Sequence, residues 1–332
     1  MVAFVIIRIM KVASNKTYGD SSVIKIVDLP LPTISDDQIL IKVHFSSVNR
    51  TDEGFLHASP FVTRFFTGLF KPKYLSLGCE FSGVVTEVGD DVKYFKIGDM
   101  VFGFDDTDFG GYAEYKAIAQ EKAVAKVPVG VSLKQAAVAL EGAHYALFYL
   151  YALPKTKNLK IFVNGATGAI GSAAVQILKA EGYYVEASST TEQIDNIKQL
   201  GVDKVIDWQQ ENISVEASKC DVYFDAVGKS SYKEARKILK SGGMYMSSEL
   251  GKFGQNPLLA LINPIQKLFT KNNVKFPVPK TRKKEATVIA EYLASGDFTP
   301  LIDREYKIED VQAAFDYVET GKKVGNVLIK IN

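Results

Sequence analysis

Three glycines spaced three residues apart are the feature of this sequence with the clearest chemical meaning. Gly165, Gly168 and Gly171 follow an apolar run and open the helical pattern Ala169–Glu181. The pyrophosphate of a dinucleotide needs a tight turn, then a backbone without side chains in its path, then a helix N-terminus with free N–H groups. A second strand–helix unit follows, which is the expected context. The sequence therefore predicts a dinucleotide-binding loop made of Gly165, Ala166, Thr167, Gly168, Ala169, Ile170 and Gly171.

The end of the next predicted strand bears on which dinucleotide binds. An acidic residue about 20 positions after the glycines would bind the adenosine ribose and favour NAD. This chain has hydroxyl side chains there, at Ser189 and Thr190, which suit the 2′-phosphate of NADP. Glu192 lies just beyond them, so NAD stays possible. The sequence favours NADP as the cofactor.

The chain is poorly supplied with metal ligands, disulfide partners and excess positive charge. It has two cysteines, Cys79 and Cys220, and three histidines, so neither a four-cysteine zinc site nor a disulfide framework can form. Its 40 Lys and Arg against 38 Asp and Glu give a net charge of +2, which predicts no nucleic-acid partner.

Two regions of different pattern must position these residues. Residues 10–125 hold short β-branched runs separated by glycine turns, which indicates a β-rich part. After Pro154 strands alternate with helices, which predicts an α/β part with a doubly wound parallel sheet. The predicted strands are Ile39–Val43, Phe81–Val88, Met100–Phe104, Tyr112–Ala117, Leu159–Asn164, Tyr183–Ser189, Val202–Ile206, Asp221–Ala226, Met244–Ser248 and Asn326–Ile331. The predicted helices are Ala169–Glu181, Glu192–Leu200, Ser230–Lys240, Ala286–Ala294 and Ile308–Glu319.

Neither apolar stretch of the sequence has the pattern of a membrane span. The run Val2–Ile7 is too short for a signal peptide and has no positive flank before it, so Met10 is an alternative start and residues 1–9 are predicted to be an appendage. The stretch Ala136–Leu153 contains Glu141 and is predicted to be a buried helix. We expect a soluble cytoplasmic protein with no membrane partner.

Several segments together resemble the medium-chain dehydrogenase/reductase superfamily, in its zinc-free, quinone oxidoreductase-like (zeta-crystallin-like) branch. They are the glycine loop, Ser47–Asp52, Gly78–Val85, Val92–Val101 and Phe224–Gly228, and the similarity extends over nearly the whole chain from Met10. The resemblance implies a GroES-like β-rich domain at 10–128, completed by 279–332, and a Rossmann domain at 129–278. It also implies a cofactor in the cleft between them and a homodimer through the edge strand Asn273–Phe276. Further cofactor contacts implied in this way are Ala226, Val227, Gly228, Ser247, Ser248 and Asn326.

The resemblance also shows what has replaced the metal site. Zinc-dependent members have a cysteine where this chain has Asn49 and a histidine where it has Cys79, so no zinc is expected. Hydride addition to an α,β-unsaturated carbonyl or a quinone spreads its charge and can proceed with hydrogen-bond donors alone. A simple ketone concentrates that charge on one oxygen, which zinc normally stabilises. The sequence therefore predicts an NAD(P)H-dependent reductase of quinones or enones.

Three residues are candidates for catalysis. Asn49 could donate its amide hydrogen to the substrate, although it could equally cap the helix that begins near Asp52. Glu141 and His144 lie three residues apart on one helix face, where either could donate a proton or the two could form a buried pair. Solvent is the alternative proton source. Arg64 could orient an anionic substrate or form a surface ion pair.

Two other functions remain open. The chain could be an NADPH-binding accessory protein with little turnover, or an alcohol dehydrogenase with an atypical metal site. The apolar segment 255–264 could cover the cleft or belong to a dimer surface. The natural substrate cannot be read from the sequence, because fold does not determine function.

Overall fold

The computed structural model describes residues 8–74, 76–247, 249–251, 255–280 and 282–332, and of residues 266–269 it describes the backbone alone. The chain divides into two compact units. The first comprises Met1–Glu141, Thr281–Ala294 and Ile302–Asn332, and the second comprises Gly142–Lys280 and Ser295–Leu301. These limits differ from the predicted domain limits at 128/129 and 278/279, which stay predictions.

The first unit is built mainly from antiparallel strands. Its seven-stranded sheet has the order β14-β15-β3-β4-β5-β7, with β6 also paired to β3, and β1 and β2 form a separate ribbon. The strands are β1 (Ile9–Asn15), β2 (Ile24–Pro30), β3 (Gln38–Val48), β4 (Glu80–Val88), β5 (Met100–Phe104), β6 (Tyr115–Ala119), β7 (Val124–Lys126), β14 (Ile302–Lys307) and β15 (Asn326–Lys330). The helices are α1 (Arg50–His57), α2 (Arg64–Thr67), α3 (Leu133–Ala136), α11 (Lys283–Ser295, whose last residue belongs to the second unit) and α12 (Val311–Glu319).

The second unit is a parallel six-stranded sheet in the order β10-β9-β8-β11-β12-β13. Its strands are β8 (Lys160–Asn164), β9 (Tyr184–Ser189), β10 (Lys204–Asp207), β11 (Cys220–Asp225), β12 (Leu239–Ser247) and β13 (Asn273–Lys275). Its helices are α4 (Leu140–Ala152, whose first two residues belong to the first unit), α5 (Ala169–Ala180), α6 (Ile194–Lys198), α7 (Ile213–Glu216), α8 (Tyr232–Ala235), α9 (Gln255–Leu261) and α10 (Asn263–Thr270).

The strand order of the second unit confirms the predicted fold class. In chain order the strands lie 3-2-1-4-5-6, the arrangement of a dinucleotide-binding sheet. The central strands are buried on both faces, as the continuous apolar runs Ile161–Val163 and Val222–Phe224 require. The order changes direction between β8 and β11, so the loops after these two strands lie side by side at the carboxyl edge.

Two local predictions differ from the structure. The predicted helix Ser230–Lys240 is wrong beyond Ala235, because the Ile238 carbonyl accepts a hydrogen bond from the Cys220 N–H and Leu239 already pairs with Cys220 in the sheet. Residues 1–7 of the predicted appendage lie outside the described part. Ile9, however, belongs to β1 and pairs with Pro30.

The apolar stretch predicted as a buried helix forms α4, which has 13 residues. Of the helices in the described part of the chain, none combines the length and the apolar character needed to cross a membrane.

Candidate functional site

The glycine loop follows β8 and leads directly into α5. Gly165 has a φ of +86°, a left-handed conformation that glycine adopts readily. Gly168 is the N-cap of α5 and has no side chain to satisfy the first N–H groups of that helix. A Cβ atom on Gly171 would lie 2.1 Å from the carbonyl oxygen of Gly165, so only glycine lets the helix pack this closely on the turn. These are the requirements of a pyrophosphate site.

Three polar side chains, two of them buried and one half-buried, hold the glycine loop in place. The Gly165 N–H donates to Ser188 Oγ at 2.9 Å, and Ser188 Oγ donates to Asn164 Oδ1 at 2.9 Å. The amide of Asn164 then donates to Asp225 Oδ1 at 3.1 Å, which links the loop to β11. Sequence reasoning did not assign a role to Ser188, Asn164 or Asp225, because their contacts join strands that are distant along the chain.

The second predicted cofactor loop, Ala226–Val227–Gly228, is shaped by the same aspartate. Asp225 Oδ1 accepts hydrogen bonds from the N–H groups of Val227 at 3.3 Å and Gly228 at 3.1 Å. A Cβ atom on Gly165 would lie 1.8 Å from Val227 Cγ2, so this loop lies against the glycine loop. The structure thus brings the two predicted loops together.

The other predicted cofactor residues of this unit lie at strand ends. Ser189 and Ser247 are the last residues of β9 and β12, and both are buried. Thr190 follows Ser189, and the hydroxyl of Thr191 donates to Asp207 Oδ2 at 2.6 Å. Glu192 is exposed. Ser248 lies outside the described residues.

A buried carboxylate, Glu80, is the centre of the polar cluster in the first unit. Its Oε1 accepts hydrogen bonds from the backbone N–H groups of Leu140 and Glu141, both at 2.8 Å, at the N-terminus of α4. Its Oε2 accepts from Ser47 Oγ at 2.6 Å and from Asn49 Nδ2 at 3.3 Å. The sequence alone assigns no role to Glu80, and the structure shows that it joins β4, β3 and α4.

Asn49 lies in this cluster with both ends of its amide engaged. Besides Glu80, its Nδ2 is 3.3 Å from Ser47 Oγ and 3.2 Å from Asn326 Oδ1. Its Oδ1 accepts a hydrogen bond of 2.9 Å from Lys323 Nζ. Asn326, predicted as a cofactor contact, is therefore also a partner of Asn49.

Lys323 brings the positive charge of the cluster. Its ammonium donates to Asn49 Oδ1 and to the Gly325 carbonyl at 2.5 Å. Burial lowers the pKa of Lys323 to about 8, while Glu141 and Glu80 raise it. Sequence reasoning missed this lysine, because one of two adjacent lysines after a glycine, Gly321–Lys322–Lys323, is usually an ordinary surface charge.

Burial shifts the pKa values of the carboxyl groups of the cluster in the opposite direction, upward. It raises the pKa of Glu80 to about 7 against the effect of its hydrogen-bond donors, and it raises the pKa of Asp52 to about 6. Burial and the charges of Asp52 and Glu80 raise the pKa of Glu141 well above its usual range. The cluster therefore changes its charge between weakly acidic and weakly alkaline pH.

Asp52 stabilises the start of α1. Its Oδ2 accepts a hydrogen bond of 3.0 Å from the backbone N–H of Asn49, and its Oδ1 accepts one of 3.2 Å from the N–H of Cys79. Asn49 has an extended backbone and is the N-cap residue of α1. It therefore occupies the helix-capping position that was the alternative to a catalytic role.

Glu141 and His144 lie on successive turns of α4 and are both buried. Glu141 Oε2 has no hydrogen-bond partner among the described residues. The backbone N–H of Glu141 and the side-chain amide of Asn49 both donate hydrogen bonds to the Glu80 carboxylate. The structure therefore brings these two candidates into one cluster. His144 belongs to the second unit, where its ring centroid lies 4.5 Å from that of Tyr145.

The donor atoms around Asn49 do not fit a catalytic zinc ion. Such an ion needs thiolate, imidazole or carboxylate ligands. Burial and the charge of Asp52 raise the pKa of the Cys79 thiol well above its usual range, so the thiol stays protonated. The Glu80 carboxylate already has four donors, and the ammonium of Lys323 lies beside Asn49.

A different group of possible ligands lies on the surface of the first unit. Ligand atoms of Glu53, His57 and Glu319 lie within 4.8 Å of one another. His57 Nε2 is 3.8 Å from Glu319 Oε1, which makes an ion pair when the histidine is protonated. All three side chains are at least partly exposed, and exposed acidic groups are common without a metal.

The first unit also contains a cavity of about 570 Å³ with aromatic walls. It is lined by Phe55, Val62, Thr63, Phe65, Phe66, Thr67, Lys73, Tyr74, Asp106, Thr107 and Phe109. A cavity of this size accommodates a small organic molecule.

Comparisons with known proteins identify the family of the chain. Residues 35–129 match the alcohol dehydrogenase GroES-like domain family, and residues 200–329 match the zinc-binding dehydrogenase family. A 2-methylene-furan-3-one reductase from Solanum lycopersicum is 31% identical over 96% of this chain and 79% of its own length. An NADPH-dependent alkenal/one oxidoreductase, chloroplastic, from Arabidopsis thaliana is 29% identical with the same coverage.

The solved structures include the same fold. The quinone oxidoreductase from Coxiella burnetii superposes with a TM-score of 0.85 at 24% identity, covering 98% of this chain and all of that one. The tomato enzyme's similarity and the two domain matches point to one family, and the superposition shows the fold. The chain is therefore an oxidoreductase of the medium-chain dehydrogenase/reductase superfamily, in its quinone oxidoreductase-like branch.

Proposed function

We propose that the chain uses NADPH to reduce quinones or α,β-unsaturated carbonyl compounds, without a metal ion. The observation that carries this proposal is the Lys323 ammonium, held against Asn49 near Glu80 and Glu141. The names of the tomato and Arabidopsis relatives support the enone substrate class, and the latter name supports NADPH.

The residues of the second unit would hold the cofactor. The N-terminus of α5 and the glycine loop would bind the pyrophosphate, and the loop after β11 would approach a ribose. Ser189 and Thr190 favour NADP because no carboxylate stands at the end of β9. Bound NADPH would supply the hydride.

Lys323 would stabilise the negative charge that forms on the substrate oxygen. A lysine ammonium has three donors, and two of them bind Asn49 Oδ1 and the Gly325 carbonyl. We assign the third to the carbonyl oxygen of the acceptor. The Asn49 amide hydrogens are directed at Ser47, Glu80 and Asn326, so Asn49 acts in this proposal by orienting the ammonium.

Glu141 is the proposed proton donor. Hydride addition at the β-carbon of an enone moves the C=C electron pair into an enolate, and a proton at the α-carbon completes the two-electron reduction. Burial and the charges of Asp52 and Glu80 raise the pKa of Glu141, which favours the protonated carboxyl that a proton donor needs, and its Oε2 is buried without a described partner. His144, one turn further along α4, and solvent remain the other proposed sources.

We also propose a cytoplasmic homodimer with a GroES-like domain at 10–128 and 279–332. β13 is the last strand of its sheet, pairs only with β12 among the described strands, and so leaves one edge for a second copy. Cys79 and Cys220 are both free and buried, as suits a reducing compartment.

The proposal is tested by combining cofactor titration with an acceptor assay. We expect NADPH fluorescence to change on binding, and NADPH absorbance to fall when a quinone or a short enone is added but not when the matching saturated ketone is added. Zinc measured by elemental analysis should be absent from the active protein. Binding without oxidation of NADPH by any acceptor would favour the accessory function, and zinc together with alcohol oxidation would favour an alcohol dehydrogenase.

A matched pair of glycine variants tests the cofactor loop. Gly165 and Gly182 have φ values of +86° and +80°, so alanine costs both positions about 1–2 kcal/mol of backbone strain. An added Cβ at Gly182 meets no atom within 4 Å, whereas at Gly165 it meets Val227. We expect Gly165→Ala to weaken NADPH binding at least tenfold and Gly182→Ala to leave it unchanged, measured by fluorescence titration. Equal affinities in the two variants would contradict a cofactor site at this loop.

A further inference from the structure

The aromatic loop, defined as residues 60–74 of the first unit, exposes an unusual amount of apolar surface. Its four phenylalanines Phe61, Phe65, Phe66 and Phe70 are 63%, 64%, 71% and 89% exposed. From the size of a phenylalanine side chain this amounts to on the order of 500 Å². An exposed apolar patch of that extent on a folded protein commonly marks an interaction surface.

The base of the aromatic loop is fixed by hydrogen bonds. The Tyr18 hydroxyl lies 2.7 Å from Thr67 Oγ1 and 2.7 Å from the Gly68 carbonyl oxygen, and the Lys73 N–H donates to the Thr67 carbonyl at 2.8 Å. The guanidinium of Arg64 stacks 4.8 Å from the centroid of the Tyr18 ring. The phenylalanines are therefore presented to solvent by a tethered turn.

Positive charge accompanies the exposed rings. Residues 60–74 contain Arg64, Lys71 and Lys73 and no acidic residue, which gives the loop a charge of +3. Lys71 and Lys73 are exposed, and no ion pair of these three residues occurs in the part of the chain that the structure describes. One exposed carboxylate, Asp106, lines the neighbouring cavity, so the local excess remains positive.

Two other occupants fit this surface less well. A small molecule in the cavity would contact Phe65 and Phe66, but Phe61 and Phe70 do not line the cavity and would stay exposed. A second copy joined by a two-fold axis would bring the same patch against itself and set three positive charges against three. An anionic lipid surface offers both an apolar layer for the rings and phosphates for the lysines.

We propose that the aromatic loop docks the chain on anionic lipid bilayers. The rings of Phe61, Phe66 and Phe70 enter the headgroup boundary, and Lys71 and Lys73 contact lipid phosphates. Such peripheral docking needs no membrane-spanning helix. It departs from the expectation of no membrane partner, which rested only on the lack of a spanning segment. It goes beyond the proposed reductase function and does not depend on it.

Co-sedimentation of the full chain with lipid vesicles tests this proposal. We expect the chain to pellet with vesicles of phosphatidylcholine and phosphatidylglycerol at least tenfold more than with phosphatidylcholine alone, and the binding to fall as salt is raised. Because sedimentation requires no turnover, a chain that binds vesicles but reduces no acceptor would overturn only the proposed function.

Charge variants with a matched spacing give the control. A variant that carries both Lys71→Glu and Lys73→Glu should bind anionic vesicles more weakly, on the order of tenfold or more. The pair Lys155→Glu and Lys157→Glu has the same spacing on another exposed segment and should leave binding unchanged. Equal losses in both pairs would overturn the assignment to this loop, because they would reflect net charge alone.

The apolar contribution is tested with Phe66→Ser and Phe70→Ser combined. We expect a further tenfold or greater loss, with the thermal unfolding midpoint and NADPH affinity kept, since both side chains are largely exposed. The exposed Val129→Ser is the control on another surface. No binding of the unaltered chain to anionic vesicles would overturn the proposal, as would a dimer seen by light scattering that these serine substitutions dissociate.

Discussion

Replacing Lys323 with methionine should lower kcat for an enone acceptor by about 100-fold and leave the affinity for NADPH unchanged. Methionine keeps a similar length but removes the ammonium that we assign to the substrate oxygen. Removal of one hydrogen-bond donor from a site of developing negative charge costs about 100- to 1000-fold in kcat. The measurement is the steady-state oxidation of NADPH, with cofactor binding followed by fluorescence on the same samples.

The pH dependence distinguishes an acting ammonium from a structural one. Burial lowers the pKa of Lys323 to about 8, so the ammonium is lost as the pH rises through that value. We expect kcat of the unaltered protein to fall above about pH 8 and expect no such fall in Lys323→Met. Lys322→Met removes an exposed neighbouring charge and should behave as the unaltered protein. A Lys323→Met variant with normal kcat and a normal alkaline limb would remove Lys323 from the mechanism.

The parts of the molecule that follow from local pattern could be read from the sequence. β8 and β11 are buried on both faces, and their continuous apolar runs predict them to within one residue. The glycine loop is equally local, because Gly165, Gly168 and Gly171 carry its geometry in seven residues. By contrast, β1 was not predicted. Its partner is β2, and no periodicity in the residues of β1 indicates that the two strands pair.

The polar cluster could not be read in this way because its contacts are distant in sequence. Lys323 and Asn49 are separated by 274 residues, and Glu80 reaches Glu141 across 61. Each of these residues alone has an ordinary interpretation as a surface charge, a helix cap or a core neighbour. Only the pairing of β15 with β3 brings the segment after Lys323 beside Asn49, and that pairing is a property of the whole sheet. From the sequence, Asn49 is a candidate hydrogen-bond donor to the substrate; its contacts with Lys323, Glu80 and Asn326 lead us to propose instead that it orients the Lys323 ammonium.

Replacing Glu80 with alanine should reduce the free energy of unfolding by about 3–5 kcal/mol at pH 8. The change removes the acceptor for two backbone N–H groups at the start of α4 and for two side chains, and all of these donors are buried. A buried donor without a partner costs about 1–3 kcal/mol, and loss of one member of a buried charge network costs about 3–5 kcal/mol. Glu87→Ala is the matched control, because Glu87 lies on the same strand with its side chain 48% exposed and should change stability by less than about 1 kcal/mol. Both are measured by urea unfolding.

Glu80→Gln separates the hydrogen bonds from the charge. Glutamine keeps an oxygen for the N–H groups of Leu140 and Glu141, so most of the stability at pH 8 should return. In the unaltered protein burial raises the pKa of Glu80 from 4.5 to about 7, so the folded state holds one more proton than the unfolded state between these values. The contribution of Glu80 to the free energy of unfolding is therefore fully present below pH 4.5. It falls by about 3 kcal/mol as the pH rises to about 7. Glutamine does not titrate, so the Glu80→Gln variant does not lose this contribution. Between pH 4.5 and pH 7 the free energy of unfolding of the variant should therefore rise by about 3 kcal/mol relative to that of the unaltered protein. A constant difference across the window would mean that Glu80 keeps the same charge in the folded and unfolded chain, and the cluster would then not change its charge through this carboxylate near neutral pH.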